Sequence, residues 1–248
     1  MSEIEKFKNE VRENIQSLGQ DTDLQELSRH WALKASAHKY TYNFRWLGRP
    51  IIQHPQDILA MQELIWEVKP DLIIETGIAH GGSIIFYASM LELLAQCGHG
   101  DGLVLGIDID IRQHNREAIE AHPMHRRIQM LQGSSIDPAL VEQVRQIAAS
   151  KRTVMVVLDS NHTHDHVLAE LNAYAPLTSV DSYCVVFDTF VEDTPKSAFP
   201  DRPWGPGNNP KTAVHAYLRA HPEFAVDKAI EHKLLITSSP DGFLKRVS

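Results

Sequence analysis

The stretch LDSNHTHDHV, residues 158–167, sets Asp159, His162, His164, Asp165 and His166 directly after an apolar run. Two chemistries fit that composition. A carboxylate such as Asp159 is a hard oxygen ligand for a divalent cation such as Mg²⁺. A histidine titrates near neutrality, so His162, three residues on, suits the role of general base toward a hydroxyl. A plainer reading also stands: a structural carboxylate beside a surface histidine. The alternate spacing of His162, His164 and His166 gives them no reason to converge. His164 and His166 read as caps or solvent-facing groups, and Asp165 as the N-cap of the helix that follows.

Other reactive types gather at equivalent places. ETGIAHGGS (75–83) joins Glu75 to a glycine-rich turn ending at Ser83. Gly77 suits a tight turn, Gly81 and Gly82 would let a ligand approach the backbone, and a helix starting near Gly82 offers free N–H groups. The spacing is not G-x-G-x-x-G, which counts against a nicotinamide dinucleotide. Asp108 closes LVLGID and Asp110 follows, GSS ends at Ser135, and Asp188 closes SYCVVFD. An acid at the end of a second strand is placed to hold ribose hydroxyls. Taken together, the turn and Asp108 favour a nucleoside-containing cofactor over a plain strand–helix turn.

These positions imply the elements that must hold them. Short apolar runs at 71–76, 103–108, 128–133, 153–159 and 182–188 alternate with helical patterns at 82–95, 112–121, 138–149 and 165–174. Continuous Val, Ile and Leu runs separated by helices predict parallel strands covered on both faces, hence an α/β, doubly wound, Rossmann-like sheet. In such a sheet, ligands bind at the carboxyl ends of the strands, where every residue named above falls. Residues 3–18 and 23–37 read as N-terminal helices, the second with Leu24, Leu27, Trp31 and Leu33 on one stripe. TYNFRWLGRPIIQHPQD (41–57) reads as an irregular aromatic arm or lid, with Phe44 and Trp46 assigned to core packing. Gln56 or Asp57 then leads into a helix that ends before Pro70. Residues 1–55 are therefore set apart from a ligand-binding domain at 56–248. Near the C-terminus, FAVDK, KLLITS and GFLKRV follow a helix at 210–220 that starts near Asn209 and Pro210. SSPDG between the last two runs predicts an antiparallel hairpin. The loop 188–214 is long and carries Trp204, which could stack on a sugar ring.

The chain has 248 residues and a net charge of −8. That charge argues against nucleic acid or an anionic membrane as partner. There is no transmembrane-length apolar run and no signal-like N-terminus. Cys97 and Cys184 form no pair, and Cys184 reads as a buried hydrophobe. A cytoplasmic enzyme with a small-molecule or glycan substrate is the expectation.

Several ordered blocks carry a more specific resemblance: WLGRPIIQHPQD, LIWEVKPDLIIETGIAHGGS, GIDIDIRQHNR, GSSIDP, VMVVLDSNHTHDHVLAEL and VVFDT. Across residues 40–248 the chain resembles the cephalosporin hydroxylase family, also known as rhamnosyl O-methyltransferases. That resemblance implies a class I methyltransferase fold, S-adenosylmethionine as cofactor, Mg²⁺-assisted O-methylation of a sugar or glycosylated metabolite, and assembly into homo-oligomers. Carried over by motif, Glu75, Gly77, Gly81 and Ser83 would line the methionine end of the cofactor, Asp108 the ribose, and Ser135 the adenine. Asp159 and Asp188 would ligate the metal, and His162 would be the base. The chain departs from the family pattern at Phe187, where an acid is usual, which leaves two carboxylates for the cation. A cofactor-binding homologue without turnover and a metal-assisted hydrolase built on Asp159, His162 and Asp188 are the alternative readings. The two-histidine, one-carboxylate triad of an oxygenase is not apparent.

Overall fold

A computed structural model describes residues 1–248. In chain order the elements are α1 (Glu3–Gln20), α2 (Thr22–Ser36), β1 (Phe44–Trp46), β2 (Arg49–Ile51), α3 (Pro55–Val68), β3 (Leu72–Thr76), α4 (Gly82–Gln96), β4 (Leu103–Asp108) and α5 (Gln113–Glu120). They continue with β5 (Ile128–Gln132), α6 (Pro138–Ala148), β6 (Val154–Leu158), α7 (His164–Tyr174), β7 (Tyr183–Val186), α8 (Pro210–Leu218), β8 (Phe224–Val226), α9 (Lys228–Leu234) and β9 (Phe243–Arg246). No helix is long and apolar enough to cross a membrane.

Seven strands form one sheet in the order β5-β4-β3-β6-β7-β9-β8, parallel from β5 through β7. The chain winds outward through β3, β4 and β5, then returns to place β6 against the other side of β3. The order therefore reverses between β3 and β6, which opens a crevice at their carboxyl ends. Every residue of β3 and β6 is buried, as strands covered on both faces must be. One face packs on α3 and α4 through Ile73, Val157, Val185 and Phe86. The other packs on α6, α7 and α8 through Ile74, Val156, Leu171 and Val214. Ile74 exposes no surface, so truncation to alanine costs on the order of 2–5 kcal/mol.

The antiparallel closure is present, but its strands are not the expected pair. Phe224↔Arg246 and Val226↔Leu244 register β8 against β9, while the stretch read as KLLITS runs through the end of α9 and the turn beyond it. Asp227 caps α9 by accepting from the Ala229 N–H (3.2 Å), and Leu235 ends the helix at φ 60°. That local capping outweighs the β-branched character of the run. The SSPDG turn then feeds β9, which pairs with β7 as well.

The N-terminal region also differs from the sequence reading. The aromatic arm is not irregular: β1 and β2 form a hairpin turning at Leu47 and Gly48. Phe44 and Trp46 pack on the core as expected, with Trp46 Nε1 donating to Ser89 Oγ (2.9 Å). In α2 the inward face is Ser28 and Ala32, whereas Leu27 and Trp31 remain exposed. α3 begins at Pro55, a favoured first helical residue. Asp57 thus lies within the first turn rather than ahead of it; it is wholly buried and accepts from Thr237 Oγ1 (2.5 Å) and from the Ser238 N–H (2.9 Å). α7 likewise begins at His164, one residue early, with Thr163 as its flanking residue and Asp165 exposed. Asn209 starts α8 with a capping box, as expected.

Candidate active site

Asp159 and Asp188 leave the ends of adjacent strands, and His162 follows in the loop before α7. Their ligand atoms all lie within 4.8 Å of one another. His162 Nε2 stands 3.2 Å from Asp188 Oδ2, and the imidazole meets the Trp204 ring edge-on at 4.8 Å. The ladder carries Asp159 and Phe187 into place: the Asp159 N–H donates to the Thr76 carbonyl (2.9 Å) and the Phe187 N–H to the Leu158 carbonyl (3.0 Å). Asp188 then adopts φ 57°, a left-handed conformation that aspartate tolerates better than most residues. It turns the chain sharply away from the sheet.

Burial pushes the Asp159 carboxyl well above the usual carboxylate range, with the negative charges of Asp188 and Glu75 adding to the rise. A cation relieves both causes together. Oxygen donors from two carboxylates suit Mg²⁺, with the remaining positions filled by water or a substrate diol. Phe187, where a third acid would stand, is 2% exposed and packs into the core on the face that also carries Val157 and Val185. By strand alternation that face carries Glu75 and Asp159 as well, so Phe187 fills apolar space in which an acid would approach the cluster.

Two cavities flank this cluster and share Gly77 and Ser160. One of about 210 Å³ is lined by Tyr42, Gln53, Ser83, Asp159, His162 and Asp188 among others. The second, of about 180 Å³, is lined by Asp108, Ser134, Ser135, Asn161 and His166 among others. They make a trough across the point where strand order reverses. Gly77 is its floor: at φ 94° it is in glycine's own region, and a Cβ there would overlap the Asp159 carbonyl oxygen. A further cavity of about 370 Å³ lies between α2 and the 235–240 segment, remote from the strand ends.

The other predicted residues divide. Ser83 lines the larger cavity and donates to Glu75 Oε2 (2.7 Å). Glu75 itself is wholly buried behind Ser83, and desolvation pushes its carboxyl up to about 8 despite that hydrogen bond. Asp108 and Ser135 both line the smaller cavity. The Asp108 carboxylate also organises the turn, accepting from the N–H groups of Ile78 (2.8 Å), Ala79 (3.2 Å) and Asp110 (3.0 Å). Gly81 does not serve as expected, whereas Gly82 lines the larger cavity. Gly81 caps α4 at φ 82° and lines neither cavity, its missing Cβ making room for Ile119. Gly82 makes room for the Pro50 carbonyl. Protein occupies the space both glycines leave, Ile119 of α5 at Gly81 and the β1–β2 hairpin at Gly82, although Gly82 also lines the larger cavity.

The histidines diverge, as their spacing implied, but none is merely solvent-facing. The His164 N–H donates to Asn208 Oδ1 (2.9 Å), and its Nδ1 lies 2.8 Å from Thr212 Oγ1, tying α7 to the start of α8. His166 Nε2 lies 3.1 Å from Ser135 Oγ and 3.5 Å from the buried Glu170. The loop 188–214 is held by Glu192, which accepts from the Gly207 N–H (2.8 Å) and from Asn209 Nδ2. Trp204 carries the Arg202 guanidinium 5.0 Å over its ring and its edge contact to His162, so it first acts as a brace. Sequence reasoning did not single out Tyr42, Gln53, Tyr87 or Glu170. Tyr42 and Gln53 had a signal, their place in the aromatic arm at 41–57.

Comparison with known proteins adds an independent line. The family model for rhamnosyl O-methyltransferase/CmcI matches residues 38–247. A rhamnosyl O-methyltransferase of Mycobacterium tuberculosis is 31% identical over 226 residues, covering 87% of this chain and 85% of its own. That of Mycobacterium leprae is 31% identical over 218 residues, covering 84% and 88%. Among solved structures, apo CmcI is 19% identical with a TM-score of 0.57, covering 84% of this chain and 77% of the other. CmcI with Mg and S-adenosylmethionine is 20% identical, also with a TM-score of 0.57, covering 84% and 78%. These structures share the mostly parallel sheet with its flanking helices.

Proposed function

The chain belongs to the rhamnosyl O-methyltransferase/CmcI family, and from that premise we propose that it transfers the methyl group of S-adenosylmethionine to a sugar hydroxyl. One observation carries the reading: the Asp159–His162–Asp188 cluster stands beside the strand-order reversal, next to a trough with Asp108 and Ser135 in one arm and Ser83 in the other. Asp108 and Ser135 in the smaller cavity are the residues that would hold the nucleoside, and Gly77 and Ser83 those that would line the methionine end in the larger one.

The acceptor hydroxyl enters next to His162. His162 takes its proton at Nε2, the ring atom that faces the cluster, and the imidazolium that forms donates that proton in a hydrogen bond to Asp188 Oδ2, 3.2 Å away. Trp204 holds the ring against rotation. Asp159 and Asp188 are the residues that would hold Mg²⁺, which when bound lowers the pKa of the acceptor hydroxyl and positions it. The transfer itself is an in-line displacement in which the protein supplies orientation and a base.

The test is calorimetric titration with S-adenosylhomocysteine, with and without Mg²⁺, followed by transfer of a labelled methyl group to a rhamnosyl glycoside. Micromolar binding and labelled product are expected. Binding with no transfer to any sugar hydroxyl would favour the cofactor-binding homologue. Tight Mg²⁺ binding with no affinity for S-adenosylhomocysteine would sink the assignment in favour of a hydrolytic cluster.

A further inference from the structure

The chemistry above leaves Gln53 unused. It follows β2 in the N-terminal arm, is 2% exposed, and lines the larger cavity with Ser83 and Asp159. Neither Oε1 nor Nε2 of its amide has a hydrogen-bond partner. Buried amides are almost always paired, and leaving both ends unmet is costly. The arm cannot easily swing the amide to water, because the Pro50–Ile51 backbone is seated on Gly82, where no Cβ intervenes.

Two further unpaired atoms lie beside it. Glu75 Oε1 makes no well-formed hydrogen bond, and the hydroxyl of the wholly buried Tyr87 stands between Gln53 and Glu75, close enough to interact with both but without good geometry to either. Three elements thus bring a carboxamide, a carboxyl and a phenol together with unmet capacity. The unmet groups include donors, at Gln53 Nε2 and the Tyr87 hydroxyl, and acceptors, at Gln53 Oε1 and, once the carboxyl ionises, at Glu75 Oε1. A purely anionic ligand would leave the acceptors unpaired, and an apolar one would leave everything unpaired. A group carrying an ammonium and a carboxylate on one carbon satisfies both kinds.

We propose that Gln53 binds the α-amino-acid end of the cofactor, its amide oxygen accepting from the ammonium and its NH₂ donating to the carboxylate. The inference rests on the methyltransferase reading of the trough. It makes the arm part of the cofactor site rather than a cover over it.

Two ligands separate this role from a structural one. S-adenosylhomocysteine carries the amino-acid end, whereas 5′-methylthioadenosine has the nucleoside and sulfur without it. Gln53→Met keeps the side-chain shape and removes both polar groups. We expect the variant to bind S-adenosylhomocysteine at least about ten-fold more weakly than the wild type, with its affinity for 5′-methylthioadenosine unchanged. Without ligand it should melt close to the wild type, since the amide makes no well-formed hydrogen bond to lose. Equal weakening toward both ligands, or a lowered melting temperature, would show a structural role and overturn the inference. Wild-type binding of S-adenosylhomocysteine that Gln53→Met leaves intact would overturn it alone. A wild type that binds neither ligand would overturn the methyltransferase reading and this inference with it.

Discussion

Replacing Glu75 by glutamine tests the electrostatics of the site floor. Glu75 is wholly buried, its carboxyl raised from 4.5 to about 8 by desolvation, with the Ser83 hydroxyl donating to it. Between those two values the folded chain keeps a proton that the unfolded chain releases. The stability Glu75 contributes is therefore complete below 4.5 and is lost as pH rises toward 8. Holding that proton at pH 7 costs the fold about 3–4 kcal/mol relative to a neutral isostere, from 2.5 pH units at about 1.4 kcal/mol each; at pH 5 the cost is about 1 kcal/mol. Glutamine keeps an acceptor for Ser83 and carries no such penalty. Urea unfolding should show Glu75→Gln gaining over the wild type by about 3–4 kcal/mol at pH 7 and about 1 kcal/mol at pH 5. A gain of equal size at both pH values, or a loss at pH 7, would refute the reasoning, because only a buried carboxyl with a raised pKa makes the difference grow with pH. The same residue predicts a proton count on binding. An ammonium placed beside the carboxyl favours its ionised form, so S-adenosylhomocysteine should release protons at pH 7, read from calorimetry in buffers of different ionisation enthalpy.

Gly77→Ala places a Cβ against the Asp159 carbonyl at φ 94°; it should cost about 2 kcal/mol or more in thermal or urea unfolding and abolish S-adenosylhomocysteine binding. His162→Gln should leave that binding within about two-fold while methyl transfer falls by a factor on the order of 10²–10⁴, and unchanged turnover would remove His162 as the base. Phe187→Glu puts a carboxyl in a 2%-exposed position and should lower the melting temperature by several degrees. Mg²⁺ should then restore more of it than the ion adds to the wild type, because the new acid stands on the face that carries Asp159; equal Mg²⁺ shifts in both proteins would count against a cation site there.

The sequence by itself determined the framework. Unbroken Val, Ile and Leu runs such as LIIET and VMVVL have no solvated face to offer, so they had to become parallel strands covered on both sides. Once that is granted, Asp108, Asp159 and Asp188 fall at strand ends, and the Asp159–His162–Asp188 cluster becomes expected. Its wrong readings were all local ones. Capping at Asp227 turned an apolar run into α9, Pro55 started α3 ahead of Asp57, and Gly81 gave its space to Ile119 rather than to a ligand. Only the tertiary structure decided how distant segments meet. Nothing in the period of residues 49–53 says that this hairpin lands on the first turn of α4, bringing Gln53 beside Ser83 and Asp159. Nor does the chain around Glu75 reveal that its carboxyl is sealed from water by Ser83 and Tyr87. Periodicity records which face of an element is apolar; the desolvation and unpaired polar atoms that define this site arise only when separate elements close over one another.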